Sequence, residues 1–157
     1  MKNGFTLIEI LIVVAIISTL SSIILVGLGP AQKIGRDARR IADLREVQTG
    51  LEVYFTKCDY YPGGVEPSAL GCGPFTPVSG WADLVNSLLS SNLGIKQVPN
   101  DPRESLGKTY FYGASSNGSG YVLGATLEDP NNQSLAHDVD GLVNGVNCDD
   151  PVYCIEF

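Results

Sequence analysis

The chain has 157 residues, a mass of 16.7 kDa and a formal net charge of −7. That is one domain's worth of sequence. With 44% hydrophobic and only 17% charged residues it does not read as a disordered chain, and its acidic balance argues against the basic stripe of a nucleic-acid binder. The averages conceal a division. Residues 1–57 hold seven Lys or Arg and five Asp or Glu, whereas residues 58–157 hold three and twelve. All four cysteines lie in the second part and the longest apolar stretch in the first. The pattern predicts a membrane-associated stem and an acidic, cysteine-bearing head.

Phe5–Gly29 carries one charge, Glu9, and otherwise only the hydroxyls of Thr6, Ser18, Thr19, Ser21 and Ser22 as polar side chains. As a helix it would run about 37 Å at ~1.5 Å per residue, enough for a transmembrane span. Its many Ile and Val residues would favour a strand in water. In a bilayer an isolated strand leaves its backbone unpaired, so a helix is expected. A conventional signal peptide fits poorly: the apolar run is too long, Glu9 interrupts it and no small-x-small cleavage site follows. A carboxylate inside such a helix is costly and reads as functional.

The opening Lys2-Asn3-Gly4-Phe5-Thr6-Leu7-Ile8-Glu9-Ile10-Leu11 closely resembles the type IV pilin-like signal, the class III leader of type IV pilins and type II secretion pseudopilins. The resemblance implies that a prepilin peptidase cuts between Gly4 and Phe5 and N-methylates Phe5. Residues 1–4 are then a leader. Glu9 resembles the family's assembly glutamate, a partner for the N-terminal amine of a neighbouring subunit. An unpaired charge in an apolar fibre core would cost several kcal/mol, which such a pair offsets. Lys33, Arg36, Arg39 and Arg40 follow the span, and the positive-inside bias alone would place the head in the cytoplasm. The cysteines and the resemblance place it outside.

Gly27-Leu28-Gly29-Pro30 predicts a bend, a melted turn or a helix break. Helix then resumes, because Ile34, Ile41, Leu44, Val47, Leu51 and Tyr54 share one face. Asp37, Arg40, Asp43 and Glu46 are expected to decorate other positions. The i,i+4 pairs Lys33–Asp37 and Arg39–Asp43 would each contribute a few tenths of a kcal/mol.

After Lys57 the texture changes. Residues 62–80 are rich in Pro and Gly and read as a loop. Trp81, Leu84, Val85, Leu88 and Leu89 predict a short helix with Ser79 as cap. Thr109–Ala114 and Tyr121–Leu127 read as a hairpin joined by Ser115–Gly120, and Val152–Phe157 as a strand with two unlike faces. Four cysteines allow three pairings. Cys58–Cys72 with Cys148–Cys154 is preferred, since each pair closes a short irregular segment. The spacings lack the compact pattern of a zinc site, and disulfides imply an oxidising compartment.

His137-Asp138-Val139-Asp140-Gly141, with Asp149 and Asp150, suggests oxygen ligands around a sharp turn. The EF-hand pattern fails. Major type II secretion pseudopilins resemble this in placing calcium in a C-terminal loop, so Asp138, Asp140, Asp149 and Asp150 are the candidate calcium ligands. His137 is the only histidine and has no nucleophile motif beside it, so no enzyme is expected.

The expected fold is α+β: a long N-terminal helix, transmembrane in its first half, packed by its second half on a small antiparallel sheet, as in pilins. The expected parts are leader 1–4, transmembrane and polymerisation helix 5–29, amphipathic second half 30–57 and head 58–157. The expected function is a structural subunit of a pilus-like fibre, of the type II secretion pseudopilin kind. A type IV pilus major or minor pilin, serving adhesion, motility or DNA uptake, is the alternative. A membrane-anchored binding module that does not polymerise is the third reading. Partners would be copies or homologous pilin-like subunits, the prepilin peptidase, membrane lipid, and an inner-membrane assembly platform driven by a cytoplasmic ATPase, with no direct nucleic-acid contact. The chain would sit in the inner membrane by a single pass and assemble into a periplasmic or cell-surface fibre.

Overall fold

A computed structural model describes residues 5–63 and 80–157, and within the first helix it leaves the side chains of residues 23–27 undescribed. The order of elements is α1 (Leu7–Cys58), α2 (Trp81–Ser90), β1 (Phe111–Ala114), β2 (Tyr121–Thr126), β3 (Leu142–Val143), β4 (Val146–Asn147) and β5 (Val152–Glu156), with short 3-10 turns at Glu104–Leu106 and Gln133–Ala136. The chain divides into two compact units, residues 1–35 and residues 36–157, and α1 contributes to both.

The first unit is the start of α1. The helix begins where Thr6 and Glu9 form a reciprocal cap, and its early side chains, from Phe5 to Leu20, are exposed and apolar almost all round. Ser18, Thr19 and Ser22 return their hydroxyls to the carbonyls of Val14, Ile16 and Thr19, so these residues sit in the helix without unpaired donors. Three expectations are corrected here. Among the described residues, no helix is long and apolar enough to cross a membrane. The transmembrane first half, and with it the single-pass inner-membrane placement, is therefore withdrawn. The second correction concerns the helix break that was one expectation at Pro30, since that residue lies inside α1 without ending it. The expected Ile34 contact also fails, since that side chain is 58% exposed.

The second unit is α+β. Leu44, Val47, Leu51 and Tyr54 of α1 are buried, at the three- and four-residue steps that place them on one face. They pack with Leu84 and Leu88 of α2 and with Tyr121, Leu123 and Ala125 of β2 in one core. Helix α2 forms as the stripe predicts, with Gly80 at its cap position and no side-chain cap bond; Ser79 lies outside the described residues. The sheet is antiparallel in the order β1-β2-β5, with Tyr112 opposite Leu123 and Leu123 opposite Ile155. Successive side chains of β2 point to opposite faces. Tyr121, Leu123 and Ala125 join the helix-side core, while Val122 packs with Val146, Cys148 and Cys154 on the other face.

Tyrosines tie α1 to the sheet. Their rings supply buried apolar area, and a buried hydroxyl needs a partner. The helix provides carboxylates for three of them: Tyr110 donates to Asp43 at 2.6 Å, and Tyr61 and Tyr121 both donate to Glu52 at 3.1 Å. Tyr112 donates instead to the Pro62 carbonyl. Burial first, and then the neighbouring carboxylates, push the Tyr110, Tyr61 and Tyr121 hydroxyls above their ordinary range, so they remain donors at neutral pH.

The small β3–β4 hairpin was not expected. It turns at Asn144-Gly145, both with positive φ, the dipeptide that favours this kind of two-residue turn. It lies so close to β1 that a Cβ on Gly113 would collide with the Asn144 carbonyl oxygen. Gly113→Ala should destabilise the fold by about 1–3 kcal/mol, read from the midpoint of urea unfolding.

Candidate functional site

Two places carry chemistry that the sequence singled out. At the start of α1, the Glu9 carboxylate accepts from the Thr6 backbone N–H and the Thr6 hydroxyl, both at 2.8 Å, and the Glu9 N–H donates back to the Thr6 hydroxyl. This is a capping box, Thr-x-x-Glu, whose spacing is legible in the sequence. The backbone N–H, and then the hydroxyl, hold the Glu9 carboxyl below its ordinary range, so it is an anion at neutral pH. Phe5 is 86% exposed. Gly4, the expected cleavage position, lies outside the described residues.

The second place is the loop between Ala136 and β5. It brings together the carboxylates of Asp138, Asp140 and Asp150, with one oxygen from each lying within 4.8 Å of the others. Asp149 is not part of that group, and its N–H is taken by the Asn147 side chain. The hairpin explains the choice. Gly141, with φ of 87°, turns the chain, and the Cys148 N–H bonds back to the Gly141 carbonyl at 2.7 Å. The disulfide Cys148–Cys154 then closes the loop onto β5. Cys58 is likewise disulfide-bonded, and Cys72, its expected partner, lies outside the described residues.

Asp138 is the anchor of this group. Its Oδ2 accepts from the Cys154 N–H at 2.8 Å, whereas its Oδ1 is buried without a hydrogen-bond partner. Burial, aided by Asp140 and Asp150, raises the Asp138 carboxyl above its ordinary range, although the Cys154 N–H opposes the shift. An orphaned carboxylate oxygen beside two further carboxylates suits a hard divalent cation such as calcium, which takes oxygen ligands. The three side chains could coordinate one, and the cation would supply the charge that now goes unmatched.

Sequence reasoning missed a heavily charged cluster around Arg40. Arg40 and Asp37, expected at the surface, are 1% and 0% exposed. Arg40 bonds Asp101 through Nε at 2.7 Å and Nη2 at 3.1 Å, and reaches Asp37 at 2.8 Å and Glu128 at 3.0 Å through Nη1. Arg36 grips Glu128 with two bonds of 2.6 Å, and Arg103 adds a third partner at 3.2 Å. Asp37 also accepts the backbone N–H groups of Glu128 and Asp129. The Arg36 contacts first, and then those of Arg40, hold the Glu128 carboxyl down to about 2. Three arginines and three carboxylates balance, so the site is a clamp between α1 and two loops, not a reactive centre. Of the expected surface pairs, Arg39–Asp43 is present at 3.6 Å.

A model of the prokaryotic N-terminal methylation motif matches residues 1–25. The chain therefore carries the class III signal and methylation motif typical of type IV pilin-like proteins. No curated protein and no solved structure matches it. That motif takes in the start of a long helix whose later part packs on a small antiparallel sheet, so the chain combines the signal with a pilin-like fold.

Proposed function

We propose that the chain is a structural subunit of a pilus-like fibre, of the type II secretion pseudopilin kind, assembled through the first part of α1. The observation that carries this reading is the methylation motif over residues 1–25, which includes a helical stretch whose side chains from Phe5 to Leu20 are exposed and mostly apolar. A helix that is apolar all round requires cover. Copies of the same helix provide it, and a head-to-tail contact that does not close generates a helical filament.

In this reading a prepilin peptidase removes residues 1–4 and methylates Phe5, leaving a mature N-terminus one turn of helix before Glu9. Among packed apolar helices the Glu9 anion would be costly unless a cation met it. The amine of a neighbouring subunit is that cation, and the pair sets the register. The group of Asp138, Asp140 and Asp150 holds a calcium ion that fixes the C-terminal loop. An assembly platform with its own ATPase supplies the work.

The intact mass and N-terminal sequence of the protein from cells that make it test the processing. The expected chain begins at Phe5 and carries one added methyl group; a chain beginning at Met1 overturns the assignment. Glu9→Gln is expected to leave the amount of subunit unchanged and to remove it from sheared fibres almost entirely. Normal fibres from that variant would refute the role given to Glu9.

A further inference from the structure

The β1–β2 turn contains Asn117-Gly118-Ser119, and the turn at Gln133–Ala136 is entered through Asn132-Gln133-Ser134. Both fit the Asn-x-Ser/Thr acceptor pattern for N-linked glycans, and their surroundings differ. Asn117 and Ser119 are exposed at the tip of the hairpin, whereas Asn132 and Ser134 are half-buried above the core residue Leu135. The Asn117 side-chain oxygen accepts three hydrogen bonds: from the Ser119 hydroxyl at 2.8 Å, the Ser119 N–H at 3.1 Å and the Ser115 hydroxyl at 2.8 Å. The Asn132 oxygen accepts only the Ser134 N–H.

These contacts bear on reactivity. A carboxamide nitrogen is a poor nucleophile because its lone pair is delocalised onto oxygen. Donors gathered on that oxygen stabilise the negative charge that builds there when the nitrogen loses a proton. At Asn117 all three donors converge on Oδ1, and the residue is exposed. The turn itself is held by the Gly118 N–H to the Ser115 carbonyl and by the Tyr61 N–H to the Gly118 carbonyl, both at 2.9 Å, so the acceptor is presented in one bent conformation. The disulfides imply maturation in an oxidising compartment, which is compatible with transfer from a lipid-linked donor.

We infer that Asn117 is an acceptor for an N-linked oligosaccharide, selected over Asn132 by its exposure and by the hydrogen bonds on its side-chain oxygen. The donor is an oligosaccharide on a polyisoprenyl diphosphate, and a membrane-bound oligosaccharyltransferase is the partner. The bond from Asn117 Nδ2 to the anomeric carbon forms as the bond from that carbon to the diphosphate oxygen breaks. The Nδ2 proton passes to a base of the transferase, the lipid diphosphate leaves, and nothing is oxidised or reduced.

Peptide-level mass spectrometry of the disulfide-bonded full chain, isolated from cells that make it, tests this. The expected result is a glycan on the Asn117 peptide and none on the Asn132 peptide. Asn117→Gln and Ser119→Ala should each abolish the added mass, whereas Ser119→Thr and Asn132→Gln should retain it. An unmodified Asn117 peptide overturns the proposal. So does a glycan that survives Asn117→Gln, because it would then sit elsewhere.

Discussion

Arg40→Met should be the most damaging single substitution in the 36–157 unit. The expected loss is about 3–5 kcal/mol at neutral pH, the range for removing one partner from a buried ion pair, measured by denaturant unfolding of the full chain followed through Trp81 and tyrosine fluorescence. Asp37 and Asp101 are as buried as Arg40 itself, so the substitution strands carboxylates that cannot reach water. Glu128 keeps Arg36 and Arg103, which is why the loss should not exceed this range. Against a typical total stability of about 5–15 kcal/mol, it is a large fraction.

The pH dependence identifies the cause. Glu128 has a folded pKa of about 2 against its ordinary 4.5, and Asp101 is also lowered. A carboxyl with a depressed folded pKa stabilises the fold above its ordinary pKa. That contribution fades as pH falls through the folded value. The wild-type chain should therefore lose stability as pH falls from about 4.5 toward about 2. Arg40→Met should lose less over the same window, so the two curves should converge in acid. A constant gap down to pH 2 would mean that lost packing of the long Arg40 stem, not charge, accounts for the damage. Equal stability at neutral pH would mean that the clamp does no better than an apolar side chain of similar volume.

This clamp also shows where reading the sequence stopped. The apolar face of α1 was legible because Leu44, Val47, Leu51 and Tyr54 recur at helical spacing and meet a single core. The two-faced strand β5 was legible from its period of two residues, and the hairpin of β1 and β2 from an aromatic and an apolar run joined by a polar, Gly-containing turn. Asp37 and Arg40 sit in the same helix, but their burial is decided by Asp101 and Glu128, which lie sixty to ninety residues away. A window along the chain sees only helix neighbours and reads such charges as solvated. The β3–β4 hairpin escaped because strands of two residues have no period, although Asn144-Gly145 announced its turn. That hairpin decides the acidic group as well. Asp149 and Asp150 are equivalent as sequence, but only Asp150 comes back to Asp138 and Asp140. In the first unit the apolar stretch was legible and its surroundings were not: composition alone suggested lipid as the cover for that face, whereas among the described residues no helix is long and apolar enough to cross a membrane.

Calcium should raise the melting temperature of the chain, and a chelator should reverse the gain. A ligand that binds only the folded state at about 100 times its dissociation constant adds roughly 2.7 kcal/mol, which for a chain of this size is roughly 5–10 °C. The reason lies in Asp138. Its Oδ1 is buried and unpartnered, so the folded apo chain bears a cost for the charged form, seen as a raised pKa. A carboxyl with a raised folded pKa favours folding most when protonated, and its cost appears as pH rises through that value. The cation cancels this cost only when the carboxylate is ionised. The calcium-induced gain should therefore be full at neutral pH and shrink in acid, as protons compete for Asp138. Asp138→Asn should abolish the gain and, because it removes the buried charge, should leave the apo chain no less stable than the wild type at neutral pH. Asp149→Asn, adjacent in sequence to a ligand but outside the group, should retain the full gain. Identical melting with calcium and with chelator at neutral pH would remove calcium from the proposed function. It would leave the orphaned Asp138 oxygen as a buried polar defect held in place by the Cys148–Cys154 bridge.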